Sequence, residues 1–422
     1  MSEYSFIEKL TPVDKALSVI LPKLNIKPDC INCNIVEAVG KISAETVISP
    51  LDFPPYNRSA VDGFAVRAED TYGASPSNPV ILLVKGFLGV SDTPDKYSIS
   101  PGECVEVATG APIPQGANAV IMAEYVKKAT ADKVEIYTQV PPLANVSLKG
   151  EDLRKGDVIV RQGEKIRPWH VGLLATANIH TIRVFREIRA VVLGIGDELI
   201  PLGEKLQPGK IVSSTTYMVA SFLQEKGVKV TCIKVLPDDL ELIKKNVIDA
   251  LKQADMVITT GGTSVGLRDY TIRAVKSLNP DVIVHGLAIK PGKPTGLAVK
   301  NGKLILMLSG YPVAALTGLI ALFDRIIYHI YGTRPQPKPR VKGRLTRRVY
   351  VEPGVRGYVR VKVYERDGEI EVEPLMLTGS GILSTLIKGN GLLVVPEELE
   401  GFDEGDLVEV ELLSHILVKD QK

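Results

Sequence analysis

The segment Ile258-Thr259-Thr260-Gly261-Gly262-Thr263-Ser264-Val265-Gly266-Leu267-Arg268-Asp269-Tyr270-Thr271 joins an apolar run at 256–258 to a helical pattern at 272–276. This order predicts a buried strand, a glycine loop and a helix. The glycines permit positive φ and close approach of a ligand, and backbone N–H groups at a helix start can face an anion. Thr263 and Ser264 add hydroxyl donors, and Asp269 adds a carboxylate. Together they favour a phosphate-binding loop over a plain polar turn, although neither the P-loop nor the dinucleotide fingerprint fits.

The size and composition of the chain limit its class. With 422 residues it exceeds one ordinary hydrophobic core, so we expect two to four domains. Apolar residues make up 45% and charged residues 24%, as in globular proteins. The net charge of +2 argues against a dedicated nucleic-acid binder. The first residues lack basic and apolar leader regions, and we find no apolar run of membrane-spanning length. We therefore expect a cytoplasmic protein without membrane contact.

The cysteines predict neither a zinc site nor a disulfide framework. They are Cys30, Cys33, Cys104 and Cys232. The spacing of the first two is typical of zinc or redox sites, but no second pair accompanies it and the histidines are scattered. We expect reduced, mostly structural thiols, with a disulfide between Cys30 and Cys33 as the alternative.

The first part of the chain predicts a helix followed by β-rich structure. Thr11 is expected to cap a helix whose first residue is Pro12, and apolar residues then recur at helical spacing. Between residues 80 and 140 short β-like runs are broken by Gly, Pro and Asn, the pattern of an all-β module. Asp62 and Thr109 lie in polar turns next to short strands, where an ordinary loop residue explains each of them equally well.

From residue 189 onward strands and helices alternate, which predicts a doubly wound α/β sheet whose ligands bind at the carboxyl ends of its strands. Lysines there would offset phosphate charge, and acids could hold Mg²⁺. The plainer alternatives are that Asp238 and Asp239 only cap a helix at 240–253, and that the lysines are exposed turn residues. The candidates that follow predicted strands are Asp197, Glu198, Asp238, Gly261, Gly262, Thr263, Ser264, Gly266, Asp269, Lys290, Lys293, Pro294, Ser309 and Gly310.

The last part of the chain predicts a small all-β domain. A stiff, proline-rich linker at 334–339 precedes it. Short strands follow, with turns expected at Asp367-Gly368 and at Gly389-Asn390-Gly391.

Six segments occur together in this chain, and their joint presence in this order is far more specific than any one loop. They are Asn57-Arg58-Ser59-Ala60-Val61-Asp62-Gly63-Phe64-Ala65, Thr109-Gly110-Ala111-Pro112, Gly150-Glu151-Asp152, Gly196-Asp197-Glu198, Gly261-Gly262-Thr263-Ser264-Val265-Gly266 through Asp269-Tyr270, and Lys290-Pro291-Gly292-Lys293-Pro294. Together they resemble the molybdopterin molybdenumtransferases, called MoeA in bacteria and present as the E domain of gephyrin. The resemblance covers nearly the whole chain.

The resemblance implies an activity in molybdenum cofactor biosynthesis. Such enzymes bind adenylylated molybdopterin and molybdate or tungstate, hydrolyse the adenylyl phosphoanhydride with Mg²⁺ or another divalent cation, and leave the oxyanion's metal on the dithiolene. The positions that match functional residues of the family are Asp62, Thr109, Glu198, Asp238 and Asp269. The last three are assigned to metal or water positioning. The resemblance assigns the pterin or nucleotide phosphate to Gly261, Gly262, Thr263, Ser264 and Gly266. It assigns an oxyanion, either phosphate or molybdate, to Lys290 and Lys293, and it counts Pro294 and Ser309 among the cofactor-binding residues.

The resemblance also implies an elongated homodimer of four-domain subunits with a shared active site. Mapped onto this sequence, the β-rich domain covers 50–149 and a C-terminal β-barrel-like domain covers 334–422. The doubly wound molybdopterin-binding domain combines 1–27 with 186–333. A small mixed α/β domain combines 28–49 with 150–185. Asp62 and Thr109 would then act on substrate held by the other subunit. A molybdopterin adenylyltransferase is the expected upstream partner.

One segment departs from the family pattern. Many relatives have a Pro-Gly-Asn-Pro-Val-Ser turn where this chain reads Ser309-Gly310-Tyr311-Pro312-Val313-Ala314. Ser309 or the hydroxyl of Ser380 could replace the lost groups, and Tyr311 could serve packing. The alternative function is an interaction scaffold of the gephyrin E-domain type without catalysis, which the acids at 198, 238 and 269 argue against.

Overall fold

The computed structural model describes residues 10–262, 269–333, 337–375 and 379–418. The chain divides into two compact units, Met1–Ile31 with Phe185–Lys422 and Asn32–Val184. The described α-helices are Val13–Ile20, Pro168–Thr176, Ser214–Glu225, Leu240–Gln253, Tyr270–Ser277, Pro312–Ile330 and Ser384–Lys388. Short 3₁₀ turns lie at Leu21–Lys23, Ala68–Thr71 and Ala123–Tyr125.

The first unit is built on a six-stranded sheet, called the central sheet below. Its strands, in spatial order, are Lys229–Leu236, Arg189–Ile195, Met256–Gly261, Lys303–Leu308, Gly296–Lys300 and Val282–His285. The first four run parallel, and the last two pair antiparallel with their neighbours. Asn301 and Gly302, both with positive φ, form the tight turn that reverses the chain between two of these strands.

Helices cover both faces of the central sheet, which confirms the predicted doubly wound architecture. One buried cluster joins the sheet to Val13–Ile20, Ser214–Glu225 and Pro312–Ile330. A second cluster joins the opposite face to Leu240–Gln253 and Tyr270–Ser277. The strand Met256–Gly261 is buried at every residue because it lies inside the sheet between two covered faces.

The predicted start of the first helix is wrong by one residue. Pro12 takes the cap position, with φ −56° and ψ 144°, and the helix begins at Val13. Thr11 is held in a parallel bridge to Leu287 instead, donating its N–H to the Gly286 carbonyl at 2.9 Å. A backbone engaged in that bridge is extended, so the side chain of Thr11 does not cap the helix.

The helix Pro312–Ile330 corrects the expectation that no apolar run is long enough to span a membrane. Among the described helices it alone has the length and composition to do so. Leu319, Leu322 and Phe323 are fully buried in the cluster on the central sheet. The helix is apolar because it packs as a core helix of this domain.

The C-terminal part of the first unit is a closed five-stranded barrel, which confirms the β-barrel-like prediction. The strands, in order around the barrel, are Arg356–Arg366, Glu369–Pro374, Arg340–Leu345, Leu407–Leu412 and Gly391–Val395, and the last pairs with the first. Asp367 and Gly368, at φ 53° and 81°, form the predicted hairpin turn. The predicted turn at 389–391 follows the helix Ser384–Lys388 rather than a strand. Strands Val349–Tyr350 and Gly401–Phe402 pair beside the barrel.

The second unit contains a six-stranded sheet of the predicted all-β kind. Its strands, in spatial order, are Ala119–Met122, Gly63–Val66, Glu103–Val107, Val80–Leu88, Lys133–Ile136 and Val126–Lys128. A separate apolar cluster surrounds the helix Pro168–Thr176. The strands on either side of segment 150–157 do not pair with each other, because Val146–Ser147 pairs with Arg58–Ser59 and Val158–Val160 pairs with Val47–Ile48.

The remaining strands are short and pair outside the two large sheets. Cys30–Asn34 pairs with Thr181–Phe185, and Leu199–Ile200 pairs with Ile211–Val212. Ile289–Lys290 and Leu417–Val418 each pair with a strand of the barrel. All four cysteines are free thiols, and burial raises the pKa of Cys104 to about 12, so this thiol stays protonated and unreactive.

Candidate functional site

Parallel strands bring the candidate residues to one edge of the central sheet. Strands Arg189–Ile195, Lys229–Leu236, Met256–Gly261 and Lys303–Leu308 all end at this edge because they run in the same direction. Asp197, Asp238, Gly262 and Ser309 follow within two residues of these strand ends. We call this edge the carboxyl rim. Thr263, Ser264 and Gly266 lie outside the described residues, so their predicted roles stay predictions.

The glycines of the loop that opens the site are required by close backbone approach. A Cβ at Gly261, where φ is +89°, would lie 2.2 Å from the Ile195 carbonyl oxygen. A Cβ at Gly262, where φ is +62°, would lie 2.3 Å from Thr271 Oγ1. Thr271 donates its hydroxyl to the Gly261 carbonyl at 3.0 Å and its N–H to the Gly262 carbonyl at 3.2 Å. The start of helix Tyr270–Ser277 is therefore tied to the end of strand Met256–Gly261.

A series of buried, hydrogen-bonded hydroxyls supports the rim. These residues were not predicted from the sequence. The hydroxyls of Ser213 and Thr216 lie 2.5 Å apart, and those of Thr216 and Thr260 lie 2.8 Å apart. Thr215 donates its hydroxyl to the Gly310 carbonyl at 2.7 Å. These contacts fix the start of helix Ser214–Glu225 against the two central strand ends. The hydroxyl-rich run at 213–216 directly before an apolar helical pattern was the available signal.

Asp197 and Asp238 are paired across neighbouring strand ends. Asp238 donates its N–H to Asp197 Oδ1 at 3.1 Å, and Asp197 donates its N–H to Asp238 Oδ2 at 3.4 Å. Asp239 instead caps the helix Leu240–Gln253 by accepting the Leu242 N–H at 2.8 Å. The alternative that both acids at 238 and 239 only cap this helix is therefore wrong for Asp238. Asp197, which carried no specific role before, is a direct partner of a candidate residue.

The acids assigned to a divalent metal are not gathered into one cluster. Within residues 10–262, 269–333, 337–375 and 379–418, no three His, Cys, Asp or Glu side chains are placed to hold a metal ion together. Mg²⁺ prefers oxygen ligands, keeps several waters and is commonly held by one or two carboxylates plus phosphate oxygens. The Asp197 and Asp238 carboxylates and the exposed Glu198 are of the right chemical kind for such a site. The assignment of Glu198, Asp238 and Asp269 to the metal stays a prediction.

Asp269 is a buried acid at the start of a helix. It is 9% exposed and accepts the Ile272 N–H at 3.1 Å, which makes it the N-cap of Tyr270–Ser277. Burial raises its pKa to about 6, which outweighs the Ile272 N–H and the charge of Lys276. His285 Nε2 lies 3.6 Å from Asp269 Oδ2, beyond hydrogen-bond distance, and is buried with no hydrogen-bond partner among the residues that the structure describes. Burial also lowers the pKa of His285, so this imidazole is neutral near pH 7.

The buried carboxyl of Asp269 gives a testable pH dependence of stability. Its pKa is raised from 3.8 to about 6, so its stabilising contribution is complete below the unfolded value and is lost as pH rises through about 6. Asn at this position keeps a cap acceptor and does not titrate. We expect Asp269→Asn to gain stability relative to the parent by on the order of 2 kcal/mol between pH 4 and pH 7.5.

Thermal unfolding of both proteins at the two pH values, without divalent metal, measures this difference. Asp239→Asn is the matched control, because Asp239 caps a helix from an exposed position. A difference between parent and Asp269→Asn that is the same at both pH values contradicts the prediction.

The basic residues lie at the start of the helix Pro312–Ile330. Gly292 packs so close to its first turn that a Cβ there would lie 3.2 Å from the Ala314 carbonyl oxygen. On either side of Gly292, Lys290 and Lys293 both pair with Glu352, which precedes the barrel strand Arg356–Arg366. Gly310 connects this region to the rim, since a Cβ there would be 3.4 Å from Gly261 Cα. The lysines are therefore brought to the same end of the central sheet as the glycine loop.

The departure at Ser309-Gly310-Tyr311 has a local structural explanation. Ser309 is buried, and its Oγ accepts the Tyr311 N–H at 3.2 Å. The Ser380 carbonyl, rather than its hydroxyl, accepts the Val313 N–H at 3.0 Å. The Tyr311 ring lies against Gly381, where a Cβ would be 3.2 Å from Tyr311 Cδ1. One N–H of the helix start is thus already satisfied by the segment before Ser384–Lys388.

In the second unit, Asp62 and Thr109 form one exposed pair. Asp62 Oδ1 accepts the Thr109 N–H at 2.9 Å, and the backbone and side chain of Thr109 lower the pKa of this carboxyl. Both residues flank paired strands, since Gly63 lies opposite Val107. Gly110 donates its N–H to the Ser59 carbonyl at 2.8 Å, so the two predicted motifs are joined. The structure brings Asp62 and Thr109 together, and their catalytic role stays a prediction.

The fold and the site together define a multidomain protein built around a doubly wound domain of the molybdopterin-binding kind. Residues 191–329 match the family described as "probable molybdopterin binding domain". Residues 11–178 match the MoeA N-terminal region, domains I and II, and residues 342–413 match the MoeA C-terminal region, domain IV. The chain belongs to the MoeA family.

Full-length relatives support this membership. A protein assigned to molybdopterin biosynthesis in Methanocaldococcus jannaschii is 40% identical over 96% of this chain and 99% of its own length. The molybdopterin molybdenumtransferase of Haemophilus influenzae is 33% identical over 96% of this chain and 99% of its own. The crystal structure of the molybdopterin biosynthesis MoeA protein of Pyrococcus horikoshii OT3 matches with a TM-score of 0.82 at 31% identity, covering 96% of this chain and all of that one.

Proposed function

We propose that this chain is a molybdopterin molybdenumtransferase of molybdenum cofactor biosynthesis. It binds adenylylated molybdopterin with molybdate or tungstate, and water cleaves the phosphoanhydride between AMP and the molybdopterin phosphate. AMP leaves, and the metal of the oxyanion stays on the dithiolene. The observation that carries the proposal is that carboxylates and a close-packed glycine loop lie at the carboxyl rim, with the Lys290–Lys293 segment packed against the first turn of the helix Pro312–Ile330. Membership of a family whose relatives bear this name supports it.

The residues at the rim divide into acidic and basic roles. Asp238 and Glu198 would hold a divalent cation, which neutralises phosphate charge when bound. Asp197 would fix Asp238, because each accepts the backbone N–H of the other. Asp269, with a pKa near 6, can exchange a proton near neutral pH and would position the attacking water. Lys290 and Lys293 would hold the oxyanion.

Release of AMP from adenylylated molybdopterin tests the function directly. The protein is incubated with that substrate and Mg²⁺, with and without molybdate or tungstate, and AMP is measured by chromatography. We expect release that depends on the oxyanion. Absence of release under all these conditions, with Mn²⁺ or Zn²⁺ in place of Mg²⁺ as well, contradicts the proposal and favours a scaffold.

We also propose a homodimer whose sites each use both subunits. On this proposal Asp62 and Thr109 act on substrate that is held by the carboxyl rim of the other subunit. The enzyme works in the cytoplasm and receives its substrate from a molybdopterin adenylyltransferase. One of the two sites in a mixed dimer of two inactive variants is then complete, because it takes Asp269 from one subunit and Asp62 from the other.

Mixing two inactive variants tests the shared site. Asp62→Asn and Asp269→Asn are expected to be inactive alone, and unfolding and refolding them together should restore up to about a quarter of the parent activity. The reason is that half of the random dimers are mixed, and each mixed dimer has one intact site. AMP release is the measurement. A mixture that stays inactive, although mass spectrometry shows mixed dimers, contradicts a site shared in this way.

A further inference from the structure

Glu352 forms ion pairs with both lysines that the proposed function assigns to the oxyanion. Its Oε1 pairs with Lys293 Nζ, and its Oε2 lies 3.4 Å from Lys290 Nζ. One carboxylate therefore bridges two cations, one with each oxygen. The three side chains are 37–46% exposed, so the bridge is open to solvent and to dissolved ions.

The backbone around this bridge is held independently of Glu352. Lys290 belongs to the strand Ile289–Lys290, which pairs in parallel with Arg356 and Gly357 of the barrel. Arg356 donates its N–H to the Ala288 carbonyl at 2.8 Å. Arg356 also pairs with Asp14 and Glu397 at 3.0 Å each. The contacts with Ile289–Lys290, Ala288 and Asp14 join the barrel to the domain of the central sheet without involving the Glu352 side chain.

A carboxylate and a tetrahedral oxyanion make the same demand on the two lysines. Both carry negative charge, and both accept ammonium hydrogen bonds through oxygen. If the oxyanion bound while Glu352 stayed in place, two anions would lie beside the same pair of cations, which is unfavourable. The charge on the lysines also lowers the pKa of Glu352, with the hydrogen bond from Lys293 as the largest cause, so Glu352 is anionic at neutral pH.

We propose that Glu352 is a built-in competitor for the oxyanion site. Its carboxylate holds Lys290 and Lys293 until a dianionic tetrahedral oxyanion displaces it, which raises the concentration of oxyanion needed and disfavours weak monovalent anions. The inference rests on the proposed function of the lysines and adds a specificity role for a residue of the barrel. The two candidate dianions are a metal oxyanion and the phosphate group of the substrate.

Binding of inorganic oxyanions to the full-length protein tests the inference. Glu352→Gln keeps the size of the side chain and removes its charge. We expect the Kd for tungstate, measured by calorimetry, to fall by about tenfold in this variant, since each partly exposed ion pair is worth up to about fivefold. Inorganic phosphate is measured in parallel. A fall for tungstate alone assigns the site to the metal oxyanion, and a fall for phosphate alone assigns it to the phosphate group.

Two further variants separate this effect from general changes in charge. Glu373→Gln makes the same charge change on the barrel, where Glu373 pairs with Arg347 at 3.8 Å, and should leave both Kd values unchanged. Adding Lys293→Met to Glu352→Gln should remove the gain in affinity for the oxyanion. An unchanged or higher Kd in Glu352→Gln for both anions, or no binding of either anion by any variant, overturns the inference.

The outcome is distinguishable from that of the proposed function. If the parent releases AMP but Glu352→Gln binds both anions as the parent does, the function stands and the competitor role fails. If Glu352→Gln binds an anion more tightly but the parent never releases AMP, the anion site stands and the proposed reaction fails.

Discussion

Asp269→Asn is expected to lower AMP release by at least about 100-fold while the fold stays intact. Removal of a group that moves or positions a proton costs about 10²–10⁴ in rate. Asn retains an oxygen that can accept the Ile272 N–H, and Asn and Asp are similar helix caps. The variant therefore removes the carboxyl without removing the cap. Single-turnover AMP release with saturating oxyanion is the measurement.

The control for this variant is a second helix cap in the same domain. Asp239→Asn makes the same chemical change where the side chain accepts the Leu242 N–H from an exposed position. It should keep at least half of the parent rate. If Asp269→Asn releases AMP at the parent rate, Asp269 is only a cap and has no part in the reaction.

Gly261→Ala is expected to destabilise the central sheet by about 4 kcal/mol. The added Cβ would meet the Ile195 carbonyl oxygen at 2.2 Å, and φ is +89°. The unfavourable φ costs about 1–2 kcal/mol and overpacking a further 1–3 kcal/mol. Ile195 cannot simply move away, because it is paired with Gly261 in the sheet. Amide hydrogen exchange in Met256–Gly261 and Arg189–Ile195 measures the loss of stability of this sheet rather than that of the whole multidomain chain.

Gly203→Ala isolates the backbone part of this cost. Gly203 also has a positive φ, +95°, but among the described residues no atom beyond Gly203 and its two chain neighbours lies within 4 Å of the position where its Cβ would be. It should destabilise the protein by only about 1–2 kcal/mol. Equal losses in the two variants would show that the contact with Ile195 contributes nothing.

Features that depend on neighbouring residues were predicted well from the sequence. The alternation of strands and helices from residue 189 located the doubly wound domain, and Asp239 was expected to cap the helix Leu240–Gln253, as it does. Asp367-Gly368 was expected to reverse the chain, and both residues have positive φ in the turn that they form. Since parallel strands end at one edge, the meeting of several motifs at the carboxyl rim also followed from the pattern.

Features that depend on exact packing were missed or wrong. The pairing of Asp197 with Asp238 requires the register of two neighbouring strands and their following loops. Thr11 was expected to cap a helix, but a bridge to Leu287, far along the chain, holds its backbone extended. Burial of Asp269, which raises its pKa, comes from the packing around its helix start and not from its sequence neighbours alone.

The residues thus determined the family, the alternation of strands and helices, and the edge of the sheet at which chemistry is expected. Only the folded chain showed that Glu352, about sixty positions away, forms ion pairs with Lys290 and Lys293. Local propensity and periodicity act over a few residues, so they can be predicted from the sequence. The partner of an exposed charge is set by how distant segments pack, which no local pattern records.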